Sequence, residues 1–574
     1  MGVATCQSKP KKSKGVFGQE LTGGTLKRPT KETLSQISTA LKIGRKSGLV
    51  GFIRPDRLLA IGRTLRTWGP TPASGVKVSA IRHPRHTAII DDRGVIDYQT
   101  LESQTNAIAR GLASMGVKAG DSVGILCRNH RGFIQATIAC SKLGADALFL
   151  NTGFAAPQLS DVVAREKPSL LIHDESFEDL VKQAGLEGAL PVVISWPTDE
   201  ASATSSSTTL DDLIASNSGD PLQPPARHGA ATILTSGTTG TPKGAHRDLQ
   251  GEAIASGLAL LGRIPIRMAE TTVIAAPMFH SWGFAHFVIG LAFSSTMVVH
   301  ERFDPEQTLA SVARHGATGL AVVPVMLQRI LDLPVETRQI YDTSSLNIIA
   351  ASGSNLPGVL ATTLMDEFGD VLYNLYGSTE VAWATIADPS DLRAAPGTAG
   401  PVVPGAAIRL LDHEGKEVPA GERGRIFVRN GMLFEGYTGG GGKEVIDGFM
   451  SSGDVGHFDS EGRLFVEGRA DDMIVSGGEN VFPREVEDLI AQDPSVADVV
   501  VVGVPDDEFG QRLKAFVVAA DGFTVDPEAL RSLVKNNLAR YKVPRDIEVR
   551  DDLPRNATGK VLRRVLQEEA ASTS

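Results

Sequence analysis

Cysteine is scarce in this chain: Cys6, Cys127 and Cys140 are the only three among 574 residues. An odd, sparse set cannot form a disulfide framework, so a reducing compartment is the default expectation. Aromatic residues make up only 5%. No apolar run reaches the ~18 residues that a membrane-spanning helix requires. The best candidate, Phe287 to Val299, is short and broken by Ser294, Ser295 and Thr296. The start of the chain lacks an apolar stretch followed by a small-residue cleavage site, which argues against a secretory signal. A Gly2 myristoylation pattern also fails, because Cys6 stands where Ser or Thr is required. With 22% charged and 42% hydrophobic residues, the composition is that of a globular protein and excludes general disorder.

What the chain does have is glycine, 60 residues of it with 31 prolines, which implies many tight turns. Its net charge of −10 is unevenly divided: residues 1–75 carry +11 and the remainder −21. The acidic body argues against nucleic-acid binding. In the basic front, Leu34, Ile37 and Leu41 recur at helical spacing among lysines. After Pro55, the residues Leu58, Ile61, Leu65 and Trp68 are expected to share one helix face, with Arg57, Arg63 and Arg66 off it. Basic amphipathic helices of this kind can lie on an anionic membrane surface, though amphipathicity more often marks a surface helix that packs on the acidic body or on a partner subunit.

From His83 the chain alternates β-type runs with helical stretches, the pattern of a parallel α/β sheet. Thr87–Asp91 and Val95–Tyr98 read as strands around a turn, Leu101–Met115 and Gly132–Leu143 as helices, and Ser122–Cys127 and Ala147–Leu150 as strands. Residues 197–229 read as a surface linker. From Gly397 to Glu467 shorter, Gly-rich runs suggest β-hairpins. The last hundred or so residues read as a separate small α+β unit, with Asp526 capping a helix that has Pro527 at its first position.

The sharpest motif is Thr235-Ser-Gly-Thr-Thr-Gly-Thr-Pro-Lys-Gly244, which follows a β run. Gly237, Gly240 and Gly244 let backbone N–H groups turn toward an anion. The hydroxyls of Ser236, Thr238, Thr239 and Thr241 add donors, and Lys243 adds charge. Such a loop suits a polyphosphate, although it lacks the Walker ending of Gly-Lys-Ser/Thr. Gly439–Gly442 before Lys443 looks similar but reads as an exposed turn.

With Thr235–Gly244, the segments Met278–Gly283, Tyr376–Glu380, Gly421–Gly424, Ser452–Asp454, Gly468–Asp472, Ser476–Asn480 and Pro554–Lys560 resemble, in order, those of the adenylate-forming superfamily of acyl- and aryl-CoA synthetases, adenylation domains and luciferases. The resemblance covers about Thr87 to the C-terminus. It implies a large α/β domain with a small β-barrel-like subdomain, followed by a mobile α+β domain. The expected division is a basic extension at 1–75, an AMP-binding domain at 76–470 and a mobile domain at 471–574.

The implied chemistry has two half-reactions. A carboxylate attacks the α-phosphate of ATP, giving acyl-adenylate and pyrophosphate, and a thiol then displaces AMP. By resemblance, Thr235, Ser236, Gly237, Thr238, Thr239, Gly240 and Lys243 hold phosphates. Glu380 binds Mg²⁺, Thr379 contacts the α-phosphate, and Tyr376 and Gly377 border adenine. Gly353, Ser354 and Asn355 form a turn beside adenine and acyl group, while Asp454 and Arg469 hold ribose. Lys560 bridges the attacking carboxylate and the α-phosphate. Asp471 is the hinge, and Ser476, Gly477 and Gly478 approach the pantetheine path. His280 borders the carboxylate, with Trp282, Phe284 and Val323 in the acyl pocket.

The same resemblance implies ATP, Mg²⁺ and CoA as cofactors and a carboxylic acid, most readily a fatty acid, as substrate. The segment from Pro277 to Phe284 holds no Asp of the kind that amino-acid-activating relatives use for an ammonium group. A ligase that loads a carrier protein stands as the alternative. A scaffold that has lost catalysis is disfavoured, because Lys243, Glu380, Asp454 and Lys560 are all present. The expected location is cytoplasmic, or peripheral at the inner membrane surface through residues 1–75. A homodimer is left open, and no nucleic-acid partner is expected.

Overall fold

The computed structural model describes residues 44–49, 51, 53–197, 208–235, 243–246, 260–434, 436–438, 440–476, 479–506, 510–556 and 559–572. Two mainly parallel sheets form the body. The first runs, strand by neighbouring strand, through Ala382–Ala387, Leu372–Ser378, Ile348–Ala351, Gly319–Val322, Thr271–Ile274, Thr296–Val298, Thr87–Asp91 and Gly94–Asp97. Its interior pairings are parallel and its two edge pairings antiparallel. The second centres on Ser122–Leu126, with Asp146–Phe149 and Ala231–Thr235 on one side and Leu170–Asp174 and Val192–Trp196 on the other.

These strands read as unbroken apolar runs because helices cover both of their faces. Leu170–Asp174 and Ile348–Ala351 are buried at every position. The helices Tyr98–Ser114 and Arg131–Leu143 contribute to a single core that also includes Ile89 and Met297 of the first sheet and Ile125 and Phe149 of the second. Local signals set the helix ends. The Asp97 side chain accepts from the Thr100 N–H at 2.7 Å, and Gly144, at φ 71°, closes Arg131–Leu143 in the left-handed region.

The expected hairpins of residues 397–467 form a third, antiparallel sheet in which Phe449–Phe458 lies between Gly424–Arg429 and Arg463–Arg469. The small C-terminal unit pairs Val496–Asp506 with Gly510–Ala519 and packs the helices Pro483–Ile490, Pro527–Asn537 and Arg563–Ser572 on that ladder. Asp526 caps its helix as read from the sequence, accepting from the Glu528 N–H at 3.0 Å.

Three readings change. The helix after Pro55 spans Pro55–Trp68, but its buried face is Ile61, Thr64 and Trp68, while Leu58 and Leu65 are 56% and 49% exposed. The expected boundary at residue 75 falls inside the helix Pro72–Arg82, whose Ala73 and Val76 are fully buried, so this stretch packs as part of the body. The linker of 197–229 contains a helix, Leu210–Ser216, held by a Thr209–Asp212 capping box and packed through Leu210 and Leu213. The expected helix around Leu34 to Leu41 lies outside the described residues. Among the described residues no helix is long and apolar enough to cross a membrane.

Candidate active site

A cleft of about 2410 Å³ opens where the first sheet, the third sheet and the small C-terminal unit meet. Tyr376 lies two residues before the end of the strand Leu372–Ser378 of the first sheet, and Asp454 lies on Phe449–Phe458 of the third. The Tyr376 hydroxyl donates to Asp454 Oδ2 at 2.6 Å and lies 3.0 Å from Ser452 Oγ. Burial raises the Asp454 carboxyl above its ordinary value, while Arg469, 3.5 Å from Oδ1, and the Tyr376 hydroxyl pull it back. Burial, then the Asp454 charge, pushes the Tyr376 phenol well above its usual range. Asp454 is therefore a nearly enclosed acceptor with one oxygen held by a phenol and the other facing a guanidinium.

The turn after Tyr376 depends on bare backbone. A Cβ on Gly377 would lie 1.9 Å from the Ala382 carbonyl, where the strand pairing shifts register. Beyond it, Thr379 Oγ1 meets Ser281 Oγ at 3.1 Å. Glu380 is buried, and its Oε1 accepts from the Tyr437 hydroxyl at 2.7 Å. Burial and the Glu380 carboxylate raise the Tyr437 phenol. Gly353, Ser354 and Asn355 line the cleft on the turn after Ile348–Ala351, with Gly353 at φ +94°.

His280 sits just before the helix Ser281–Ala292. Asn129 fixes this approach: its amide donates to the carbonyls of Ile274 and Ala276 and accepts from the Met278 N–H at 2.8 Å. Burial alone lowers the His280 pKa to about 4, and its Nε2 has no partner among the described residues. The imidazole is neutral at ordinary pH. His286, one and a half turns along the helix, behaves the same way, also at about 4, with its ring edge-on to Trp282. No metal-binding cluster of His, Cys, Asp and Glu occurs among the described residues.

Trp282, Phe284 and Val323 all line the cleft. Phe284 packs against Phe149 at 5.1 Å. The indole N–H of Trp282 donates to the carbonyls of Val322 and Ala350, which anchors that ring in the core between two strands. Only its margin reaches the cleft.

Lys560 enters from the small domain. Its backbone N–H donates to Asn556 Oδ1 at 2.9 Å and its carbonyl accepts from the Asn556 N–H at 2.9 Å, which closes a tight turn. The side chain lines the cleft, near enough for its charge to act on Asp454 and Asp472. A Cβ on Gly559, at φ +76°, would lie 2.2 Å from Val325 Cγ1. The domain contact is thus as close as a missing side chain permits. Asp471, the expected hinge, pairs with Arg469 Nε at 3.1 Å, so Arg469 spans Asp454 and the domain boundary.

Thr235 ends its strand and Lys243 opens the strand Lys243–His246, with Thr235 and Lys243 paired in register. The rest of that motif, Ser236 to Pro242 with Gly237, Thr238, Thr239 and Gly240, lies outside the described residues. Gly477 and Gly478 do too, while Ser476 is buried at the end of Ile474–Ser476. Sequence reading missed Tyr437, Asn129, Ser281 and Ser452. Tyr437 could have been flagged by its place just before the glycine run that was set aside as an exposed turn, and Gly440 and Gly441 do form such a turn at φ 91° and 90°.

The AMP-binding enzyme family matches residues 76–438, and its C-terminal domain matches residues 485–560. The chain is 32% identical to a feruloyl-CoA synthase from an Amycolatopsis species over 84% of this chain and 95% of that one. It is 30% identical to a fatty acid–[acyl-carrier-protein] ligase from Streptomyces coeruleorubidus over 85% and 94%. Its fold superposes on o-succinylbenzoate CoA synthetase from Bacillus subtilis in complex with its acyl-adenylate, with TM-score 0.72, 27% identity and coverage of 86% and 97%. The chain belongs to the AMP-binding enzyme family, as an acid–CoA ligase that works through an acyl-adenylate and uses ATP, Mg²⁺ and CoA.

Proposed function

We propose that the acid is an apolar one, with a fatty acid as the first reading. The observation that carries it is the lining of the cleft beyond His280. Phe284, Val288, Ile289, Val323 and Leu360 are among the residues that line it. Apolar walls with a few polar groups at one end select an amphipathic acid by burying its tail. A ring-bearing acid is the second reading. It is favoured by the names of the relatives, since the feruloyl-CoA synthase and the o-succinylbenzoate CoA synthetase act on acids with a ring. The similarity to a carrier-protein ligase keeps a carrier thiol as the alternative acceptor to CoA.

Each site residue has a role in this reading. Asp454, held by Tyr376 and Arg469, takes the ribose hydroxyls. Tyr376 and the turn at Gly353, Ser354 and Asn355 border adenine, with Gly377 allowing the close backbone pass. Glu380, a hard carboxylate oriented by Tyr437, would hold Mg²⁺ on the phosphates, which Thr235, Lys243 and the loop between them bind. Thr379 meets the α-phosphate. Lys560 places its cation where negative charge builds between carboxylate and α-phosphate. Neutral His280 borders the acid without competing for its charge. Asp471 is the hinge about which the small domain turns to bring Ser476 to Gly478 beside the thiol. The test is acid-dependent pyrophosphate release across acetate, medium-chain, long-chain and ring-bearing acids. Highest kcat/KM for fatty acids supports the first reading, highest for ring-bearing acids the second, and a preference for acetate rejects both.

Peripheral membrane contact by the basic front is a further part of the proposal. Leu58, Leu59 and Leu65 are exposed on Pro55–Trp68 beside Arg63 and Arg66. Deleting residues 1–53 and replacing the three leucines by Ser is expected to abolish sedimentation with anionic vesicles. Unchanged sedimentation would reject it.

A further inference from the structure

Tyr437 orients the Glu380 carboxylate from a segment that gives it little support of its own. Thr438 and then a run of glycines, residues 439–442, follow it in the sequence. Gly440 and Gly441 sit at φ 91° and 90°. Among the described residues, a Cβ on Gly440, Gly441 or Gly442 would meet no atom within 4 Å. A turn of bare backbone that packs on nothing does not fix the residue before it. Yet the Tyr437 hydroxyl donates to Glu380 Oε1 at 2.7 Å.

Two other contacts supply the hold. Gly436–Tyr437 pairs antiparallel with Lys243–His246, with Tyr437 opposite Ala245 and Gly436 opposite His246. That strand leaves the phosphate motif and begins with its cation, Lys243. On the residue after Tyr437, the Thr438 hydroxyl donates to Glu166 Oε1 at 2.6 Å. Glu166 is the last residue of the helix Ala156–Glu166 and lies 272 positions from Thr438 in the sequence. Its side chain is 9% exposed, and Arg165 Nε donates to the same oxygen at 2.8 Å. A hydroxyl on a carboxylate makes a charge-assisted hydrogen bond, one of the stronger kinds.

The contacts therefore run from Glu166 to Thr438, and from the adjoining Tyr437 to Glu380. Tyr437 and Glu380 line the cleft, while Glu166 and Thr438 stand behind it. The outer partners of a metal ligand set its orientation and are part of its affinity. We propose that Glu166 and Thr438 are positioning residues for Mg²⁺: they pin the loop that carries Tyr437 beside the phosphate strand, and so hold Glu380 in the one orientation that meets the cation. This inference rests on the reading of Glu380 as the Mg²⁺ ligand.

The test uses the full chain with Thr438→Val, which keeps the side-chain shape and removes the donor, and with Thr438→Ser, which restores it. Calorimetric titration of ATP into each protein, once with Mg²⁺ and once with EDTA, separates metal from nucleotide. Thr438→Val is expected to weaken Mg²⁺-dependent ATP binding about tenfold, the scale of losing an outer partner of a metal ligand, and to leave binding in EDTA unchanged. Thr438→Ser is expected to match wild type in both. Glu166→Gln, whose amide oxygen still accepts but without the charge, is expected to fall between. Added to Tyr437→Phe, Thr438→Val is expected to cost nothing more, because it acts through a hydroxyl already removed. Equal losses with Mg²⁺ and with EDTA would overturn the proposal, since they mark a tie that serves only the fold. Wild-type binding by Thr438→Val, or a full added penalty on Tyr437→Phe, would overturn it too. Glu380→Gln tells the two readings apart. If it loses Mg²⁺-dependent binding while Thr438→Val does not, the positioning role alone fails. If it binds ATP with Mg²⁺ as wild type does, the metal assignment fails and takes this inference with it.

Discussion

Tyr376 and Asp454 come from different sheets, and the 2.6 Å hydrogen bond between them ties the wall of the cleft to its floor. One Asp454 oxygen is thus spoken for before any nucleotide arrives. Tyr376→Phe removes the donor and leaves a nearly enclosed carboxylate one partner short, a cost of ~1–3 kcal/mol where such a group is buried. The KM for ATP is expected to rise roughly five- to 140-fold, since 1.4 kcal/mol is a factor of about ten. Steady-state kinetics with ATP varied at saturating acid checks it.

The contact between Gly559 and Val325 predicts a dependence of adenylation on a residue with no side chain. Gly559→Ala puts a Cβ into the Val325 methyl and strains a φ of +76°. With strain alone at ~1–3 kcal/mol, the Lys560 turn should dock poorly and pyrophosphate release should fall at least tenfold. Val325→Ala in the same chain clears the steric part and is expected to restore some of the rate. Single-turnover adenylation of the two variants separates strain from contact.

Glu380 and Tyr437 predict a metal effect. Tyr437→Phe frees Glu380 Oε1 of its donor, and the carboxylate loses its fixed orientation. The Mg²⁺ concentration for half-maximal activity is expected to rise several-fold, while Glu380→Gln nearly abolishes activity. Magnesium titration at fixed ATP reads both.

The two buried histidines carry a pH dependence of stability. Each has a folded pKa of about 4 against an ordinary 6.5. Between those values the unfolded chain binds more protons, so stability rises with pH and is lost as pH falls from about 6.5 toward 4. His286→Phe removes one of these groups, and its denaturation midpoint is expected to fall less over that window than the wild-type midpoint. Urea unfolding at pH 7, 5.5 and 4.5 measures the difference.

The parts of this protein legible in its sequence were those where a local pattern has one physical solution. Apolar strand runs alternating with helices mark a covered parallel sheet, and Asp526 before Pro527 marks a helix start. Motif order brought Tyr376, Glu380, Asp454 and Lys560 to one cleft. The rest depended on long-range packing. Spacing put Leu58 and Leu65 on the same face as Trp68, yet the neighbouring helix Pro72–Arg82 covers a narrower stripe centred on Ile61 and Thr64, and the leucines remain in solvent. Trp282 stood in a pocket motif, but carbonyls from two other strands claim its N–H. Tyr437 acts on Glu380 from 57 residues away, a distance over which a sequence pattern holds no information about contact.

The central claim is that the small domain delivers Lys560 into the cleft for the first half-reaction and not for the second. Lys560→Ala assayed on the two separated half-reactions tests it most directly. Acid-dependent pyrophosphate release from ATP is expected to drop by several orders of magnitude, while thioester formation from supplied acyl-adenylate and CoA stays within about threefold of wild type, in line with a cation that acts on developing charge in one step only. Retention of both half-reactions, or equal loss of both, would contradict the account.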